Sequence, residues 1–349
     1  MINYDLVIRG GTVMDGSGSE GRVCDVAVKG GLVAAVGDNL AAGREEIDAS
    51  GLLVTPGFVD VHTHYDGHVT WESRLKPSSC HGVTTAIIGN CGVGFAPCRE
   101  ADHDALIRLM DGVEDIPYPV LAEGLPWTWE SFPEYLDLIA SREYDMDVGG
   151  YLPHAALRVY VMGERGADRE PATEEDIQRM CALLEEALDA GAMGIATSRT
   201  LFHRSSDGKP IPTLEATNEE LLTLAKTLKR KGKGVFQIVE DIHLPGKDVS
   251  VLRQLAEAAG RPLSFPGSYG LRNTDIAPLL ALGEREDVAQ CSAPFLPGDV
   301  LLAVPGPAQH HLAVALGPAS FIHAHASLRR VVETPFPLPW PVLRQWRLT

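Results

Sequence analysis

Excess positive charge is the first thing this sequence lacks. Its 349 residues carry 30 lysines and arginines against 47 aspartates and glutamates, a net charge of −17. Nucleic acid and anionic membrane surfaces need a basic face, so neither is expected as a partner. A small anionic molecule remains admissible, because a few local arginines suffice to hold one. Long apolar runs are lacking too, and none approaches the ~20 residues of a membrane-spanning helix. Met1-Ile2-Asn3-Tyr4-Asp5 has no basic stretch leading into an apolar one, so no secretory signal is expected. Cysteine is scarce. Cys24, Cys80, Cys91, Cys98, Cys181 and Cys291 are scattered without framework spacing, which suits a reducing cytoplasm and excludes a disulfide-stapled fold. Gly16-Ser-Gly18-Ser-Glu-Gly21 has the Gly-x-Gly-x-x-Gly spacing but leads into the short apolar run Asp25–Lys29 rather than into a helix, so the dinucleotide-binding fingerprint is not met.

What is present is a globular composition, 45% apolar and 22% charged, in a chain long enough for one large or two ordinary domains. Three segments differ in rhythm. In residues 1–56 short apolar runs, Asp5–Arg9, Asp25–Lys29 and Leu32–Val36, alternate with glycine-rich turns such as Gly30-Gly31. That pattern predicts a small antiparallel sheet or sandwich. In 57–291 strands alternate with helices. Strands are expected at Phe58–Val61, Val83–Ile88, Val148–Leu152, Ala192–Thr197, Val235–Val239, Pro262–Phe265 and Asp287–Cys291. Helices are expected to open at Ser131, Thr173 and Thr217 and to cover Asp248–Ala259, with capping-box spacing at Ser131-Phe132-Pro133-Glu134. Seven strands in such alternation predict a parallel sheet, most simply a (β/α) barrel, with a doubly wound sheet as the alternative. The remainder, 292–349, holds nine prolines and a charge of +2, leaving −19 for the rest. Val300–Val304 and Leu312–Leu316 can each form a strand there. Pro335-Phe336-Pro337-Leu338-Pro339-Trp340-Pro341 cannot be a central strand or a helix interior.

The stretch Thr55-Pro-Gly-Phe-Val-Asp-Val-His-Thr-His64 concentrates the chemistry. A strand running into a loop here places Asp60, His62 and His64 on one side, since side chains alternate. Two imidazoles two residues apart on one face can reach one divalent metal. A bare His-x-His is also compatible with two ordinary hydrogen-bonded histidines. Cys91 follows a predicted strand in Gly89-Asn90-Cys91-Gly92-Val93-Gly94, where it can complete an N/S ligand set or be a small buried thiol. His154, His203 and His243 each follow a predicted strand and are candidates for substrate contact or for supporting the site. Each is equally compatible with a structural role. Glu114-Asp115 can supply a carboxylate, although such pairs usually face solvent.

These segments resemble the amidohydrolase superfamily at its opening barrel strand. Asp15-Gly-Ser-Gly18, His64-Tyr-Asp-Gly67, Pro77–Thr85, Gly89–Pro97, Val113-Glu-Asp-Ile-Pro117 and Trp129–Tyr135 are similar to the N-acyl-D-amino-acid deacylase branch, over about residues 3–290. The resemblance implies an α/β fold, a (β/α)8-type amidohydrolase barrel, here incomplete, with a small β-sandwich or sheet. It implies hydrolysis of the linear amide of small N-acyl-D-amino acids by a zinc-activated water, with His62, His64 and Cys91 as ligands. The chain departs from the family at three places. The ends of the fifth and sixth strands read Gln237-Ile-Val-Glu240 and Ser264-Phe-Pro-Gly267, without histidine. No segment of 292–349 matches the one that carries the general-base aspartate. The C-terminal half of the sandwich is also unmatched, so residues after about 292 are expected not to be the family's natural continuation. An inactive amidohydrolase-like barrel is therefore an alternative. A cyclic-amide hydrolase is another, sharing His-x-His but not the Cys91 segment.

Overall fold

The computed structural model describes residues 3–114, 116–241 and 250–265, and the backbone strands 288–290, 300–306, 309–315, 320–325, 330–335 and 342–348. Two compact units, Met1–Ser268 and Tyr269–Thr349, divide the chain.

The first unit opens with a sheet of β1 (Tyr4–Val13), β2 (Arg22–Lys29), β3 (Leu32–Gly37), β4 (Gly43–Asp48) and β5 (Leu53–Val54). Its order is β3-β2-β1-β4, with β5 also beside β1. The first three strands are antiparallel, as their spacing predicts. Gly30 and Gly31 make the two-residue turn between β2 and β3 at φ 61° and 77°, a conformation that L side chains adopt only at a cost. β4 and β5 run parallel to β1, so the sheet is mixed rather than purely antiparallel. Arg9 on β1 clamps it, reaching Asp25 at 2.8 Å and Glu46 at 2.6 Å.

Strand and helix then alternate. The strands are β6 (Phe58–Asp60), β7 (Val83–Ile88), β8 (Asp147–Gly150), β9 (Leu152–Pro153), β10 (Gly194–Arg199), β11 (Val235–Glu240) and β12 (Leu263–Ser264). Every pairing among them is parallel. Only Tyr151 separates β8 from β9, and its N–H donates to the Ile88 carbonyl at 3.0 Å, so the two are one extended stretch. The strands lie side by side in sequence order without reversal, the arrangement of a (β/α) barrel and not of a doubly wound sheet. Among the described residues the ring is not closed: β6 and β12 have one neighbour each.

The helices follow their caps. Ser131 and Thr173 form capping boxes with Glu134 and Asp176, and Thr217 accepts from the Glu220 N–H. Each cap satisfies helix-end donors and contributes about 1 kcal/mol. The helix Glu174–Ala190 buries Ile177, Met180, Leu184 and Leu188 at helical spacing. With Leu221, Leu224 and Leu228 of the helix Asn218–Lys231, they form much of the core. No helix among the described residues is long and apolar enough to cross a membrane.

In the second unit, β13 (Val288–Gln290), β14 (Val300–Gly306), β15 (Gln309–Ala315), β16 (Ser320–His325), β17 (Arg330–Pro335) and β18 (Val342–Leu348) form one antiparallel sheet. The strands expected at Val300–Val304 and Leu312–Leu316 correspond to β14 and β15. One expectation fails. The seventh barrel strand foreseen at Asp287–Cys291 is β13, which pairs antiparallel with β18. A short apolar run carries no information about the direction or identity of its partner, so its pattern fits either sheet.

A buried ionic cluster joins two of the barrel helices. Arg158, on the helix His154–Met162, pairs with Glu220 at 2.5 Å, and both side chains are fully buried. His154 Nε2 lies 2.9 Å from the same carboxylate. Burial alone would raise the Glu220 carboxyl, but His154 and Arg158 hold it below its ordinary value. Removing the guanidinium strands a charge in the interior. Arg158→Ala is therefore expected to lower the unfolding free energy in denaturant titrations by about 3–5 kcal/mol. A loss below about 1 kcal/mol would contradict this account.

Candidate metal centre

The site hangs from the C-terminal end of β7. The Ile87 carbonyl accepts from Thr63 N at 3.0 Å and from Thr63 Oγ1 at 2.8 Å. It also accepts from Asn90 Nδ2 at 2.8 Å, and the same amide group reaches the Thr63 carbonyl at 3.2 Å. Thr63 stands between His62 and His64, and Asn90 immediately precedes Cys91. One carbonyl thus fixes the loop after β6 against the loop after β7.

The Cys91 loop is held in an uncommon conformation. Cys91 sits at φ 57° and ψ 6°, a left-handed geometry costing about 1–3 kcal/mol for a residue with a side chain. Gly89 precedes it at φ 78°, where a Cβ would meet the Tyr151 carbonyl oxygen at 2.2 Å. Gly92 follows at φ 73°, with Thr197 Cα 2.9 Å from any Cβ. The turn therefore packs backbone to backbone against the strand ends. Cys91 N donates to Gln237 Oε1 at 3.0 Å, which ties the turn to β11.

The result is a convergence of three donors. His62 Nε2 lies 3.2 Å from Cys91 Sγ, and His64 Nε2 lies 3.7 Å from it. All three ligand atoms lie within 4.8 Å of one another. Burial draws His64 down to about 3, with the neighbouring His62 and His203 adding to the effect. Burial likewise lowers His62. Both rings are thus neutral at neutral pH, the form that ligates. Burial, then Glu114 and Asp66, push the Cys91 thiol up, so forming the thiolate calls for a compensating cation. Two imidazole nitrogens and a sulfur at this spacing fit one divalent metal.

Other candidates fall differently. Asp60 stays outside the donor group: its carboxylate accepts from His62 N and Ser78 Oγ, both at 3.3 Å. His203 is buried, bonded through Nδ1 to Ser198 Oγ at 2.8 Å, and close enough to depress His64. Burial brings His203 itself to about 4. His154 is fully buried, with Nδ1 2.8 Å from Thr197 Oγ1, and belongs to the Glu220–Arg158 cluster rather than to the donor group. His243 lies outside the described residues. Glu114, from the pair expected to face solvent, instead puts Oε1 3.2 Å from His64 Nε2. Asp115 also lies outside the described residues.

Three supporting residues were not singled out by the sequence. Asn90 lies inside the Gly89–Pro97 segment, where its glycine neighbours drew the attention. Asp66 lies inside His64-Tyr-Asp-Gly67. Its Oδ1 accepts from Gly89 N at 2.8 Å, and burial pushes its carboxyl up to about 7. Gln237 registers in the sequence only as the absence of a histidine. A separate cavity of about 220 Å³, lined by Asp104, Arg108, Val159, Ser205 and Lys209, includes none of the three donors.

The amidohydrolase family matches residues 45–320 of this chain. The D-aminoacylase of Alcaligenes xylosoxydans xylosoxydans is 32% identical over 314 residues, covering 86% of this chain and 59% of the relative. The N-acyl-D-aspartate deacylase of the same organism is 33% identical over 235 residues, 66% of this chain and 42% of that protein. A solved D-aminoacylase, described for the functional role of its binuclear metal centre, superposes with a TM-score of 0.62 at 28% identity. That superposition covers 87% of this chain and 65% of the D-aminoacylase. The chain thus spans about three fifths of the length of the D-aminoacylase relative. With most of its length matched by the family model, the chain belongs to the amidohydrolase family.

Proposed function

We propose that this chain is a metal-dependent amidohydrolase that cleaves the linear amide of N-acyl-D-amino acids, with zinc held by His62, His64 and Cys91. The observation that carries the reading is the convergence of these three donors within 4.8 Å at the C-terminal ends of β6 and β7. Active sites of parallel barrels lie at that end. The donor set suits zinc, the usual taker of mixed nitrogen and sulfur ligands. The D-aminoacylase and N-acyl-D-aspartate deacylase relatives support the substrate class.

Bound zinc supplies Lewis acidity, polarising an acyl carbonyl and making a water more acidic. The chain's own residues provide the frame. Burial keeps His62 and His64 neutral, so each ring nitrogen is available as a donor without first losing a proton. Asn90 and Thr63 hold both loops on the Ile87 carbonyl, so the donors are in place before a ligand arrives. The two imidazoles are partly exposed while Cys91 and Gln237 are buried, which favours approach of a small-molecule substrate past the imidazoles.

A second reading, a metal-binding barrel without turnover, is favoured by β11 and β12. Gln237 and Ser264 stand there without any imidazole donor, and among the described residues the three-donor group is the one found.

Purified chain is expected to release free amino acid from N-acetyl-D-methionine, N-acetyl-D-aspartate or N-acetyl-D-glutamate but not from the L-enantiomers. A chelator should abolish the activity and zinc should restore it. Zinc binding at one per chain with no turnover on this panel selects the second reading. Cys91→Ala is expected to weaken zinc affinity at least tenfold while leaving the far-ultraviolet circular dichroism unchanged. Unaltered zinc stoichiometry and affinity in that variant would remove Cys91 from the centre.

A further inference from the structure

Resting on the metal and amide-hydrolysis reading above, we propose that Gln237 contacts the substrate, its side-chain amide nitrogen donating to the acyl carbonyl oxygen of the bond to be cleaved. The amide is oriented by its other end. Cys91 N is a backbone donor, and Gln237 Oε1 accepts from it at 3.0 Å. The oxygen of the side chain is therefore committed to the Cys91 turn, which leaves Nε2 for a different partner. That nitrogen is buried and, among the described residues, has no acceptor. Its in-register strand neighbours provide none. Ala196 on β10 carries only a methyl group, and Ser264 on β12 makes no hydrogen bond to it. A buried amide donor without an acceptor is costly, so such groups are rare where no ligand or water uses them.

The surroundings of the nitrogen point to its acceptor. The amide that presents it is bonded to the backbone of Cys91, and Cys91 Sγ lies 3.2 Å from His62 Nε2 and 3.7 Å from His64 Nε2. Nε2 is thus carried by a side chain in direct contact with the turn that carries the thiol. Three protein donors leave a zinc coordination position for an oxygen ligand. An amide nitrogen offers hydrogens only, so it selects an acceptor and not an amine or a cation. An acyl carbonyl oxygen is an acceptor in the substrate. It becomes a stronger one as the carbonyl carbon is attacked and negative charge collects on the oxygen. A donor held in place beforehand stabilises that charge most effectively, and the bond to Cys91 N holds this one. Where the family resemblance leads one to expect a histidine, at the end of β11, glutamine supplies a neutral hydrogen-bond donor instead.

The test must separate this role from that of a mere clamp on the Cys91 turn. Gln237→Glu keeps an oxygen for Cys91 N and replaces the nitrogen donor by a second oxygen. Gln237→Met removes both. Each variant, wild type and Gln178→Glu at an exposed position are loaded with cobalt, and metal affinity is measured by competition with a chromogenic chelator. Each is then titrated with acetohydroxamate, whose acyl oxygen stands in for that of the substrate, and binding is followed in the visible spectrum. Gln237→Glu should hold the metal at least as tightly as wild type yet bind acetohydroxamate at least about tenfold more weakly. Gln237→Met should show the same loss of acetohydroxamate binding, and Gln178→Glu should match wild type. With N-acetyl-D-methionine, both Gln237 variants should lose at least about tenfold in kcat with little change in KM, the mark of a contact that strengthens in the transition state. Wild-type acetohydroxamate affinity in Gln237→Glu would overturn the proposal, leave Gln237 as a clamp and leave the metal centre standing. Wild type that takes up metal but not acetohydroxamate would overturn it too, and failure of wild type to bind metal would overturn both readings. A crystal structure of zinc-loaded wild type with acetohydroxamate tests the point without any variant. Gln237 Nε2 is expected at about 2.7–3.2 Å from the acyl oxygen, and a water as its sole partner refutes the contact.

Discussion

The Ile87 carbonyl is the point on which the centre depends. Its oxygen accepts from Thr63 N, Thr63 Oγ1 and Asn90 Nδ2, all from loops that would otherwise be independent. An acceptor has two lone pairs, so three donors on one oxygen make it a junction. Because Thr63 lies between the two histidines and Asn90 beside the cysteine, the junction sets imidazole and thiol at their mutual distances. Every other support acts on this arrangement. Gln237 holds the Cys91 amide, and Asp66 holds that of Gly89. Without the junction the left-handed turn at Cys91 would have no reason to bear its strain, and the loops would separate at its cost.

A second layer of polar structure lies deeper and performs a different task. His154, Arg158 and Glu220 tie two helices together, and Arg199 pairs with Glu240 at 2.6 Å while reaching Asn218 and the Ala216 carbonyl. Such buried pairs pay a desolvation penalty that their attraction barely offsets, so their value is in defining one arrangement among many apolar ones. Here they fix β9, β10 and β11 relative to the helices that cover them. Thr197 and Gln237 sit on two of those strands. Thr197 contacts His154 from one side, and Gln237 contacts Cys91 from the other. The geometry of the donor group is therefore coupled to charges buried in the core.

The local part of this design was legible in the sequence. His62, His64 and Cys91 each lie within a few residues of an apolar strand, and strand alternation plus glycine spacing point at their positions. The helix caps at Ser131, Thr173 and Thr217 and the order of the parallel strands were legible for the same reason, since each signal spans a few residues. Long-range pairings were not. Gln237 meets Cys91 across 146 residues, a contact that no local period encodes. Val288–Gln290 looked like one more barrel strand because a short apolar run does not name its partner. Glu114 looked solvent-facing because acidic pairs usually are. In the fold it instead lies against His64 at 3.2 Å, a neighbour 50 residues away that no local pattern names. His154 was visible as a post-strand histidine, but the glutamate that claims it arrives from a helix 66 residues later.

Burial also makes the three donors chemically suitable. In water an imidazole is partly and a thiol mostly protonated near neutrality, and a metal must displace those protons to bind. Desolvation changes that balance unequally. It drives His64 to about 3 and so removes the competing proton altogether. It drives the Cys91 thiol in the opposite direction, so the thiolate appears only when a cation is there to stabilise it. The pocket is thus a poor home for protons on nitrogen and for bare negative charge on sulfur. A divalent ion satisfies both conditions at once, which makes metal binding the state in which this arrangement of buried donors is least frustrated.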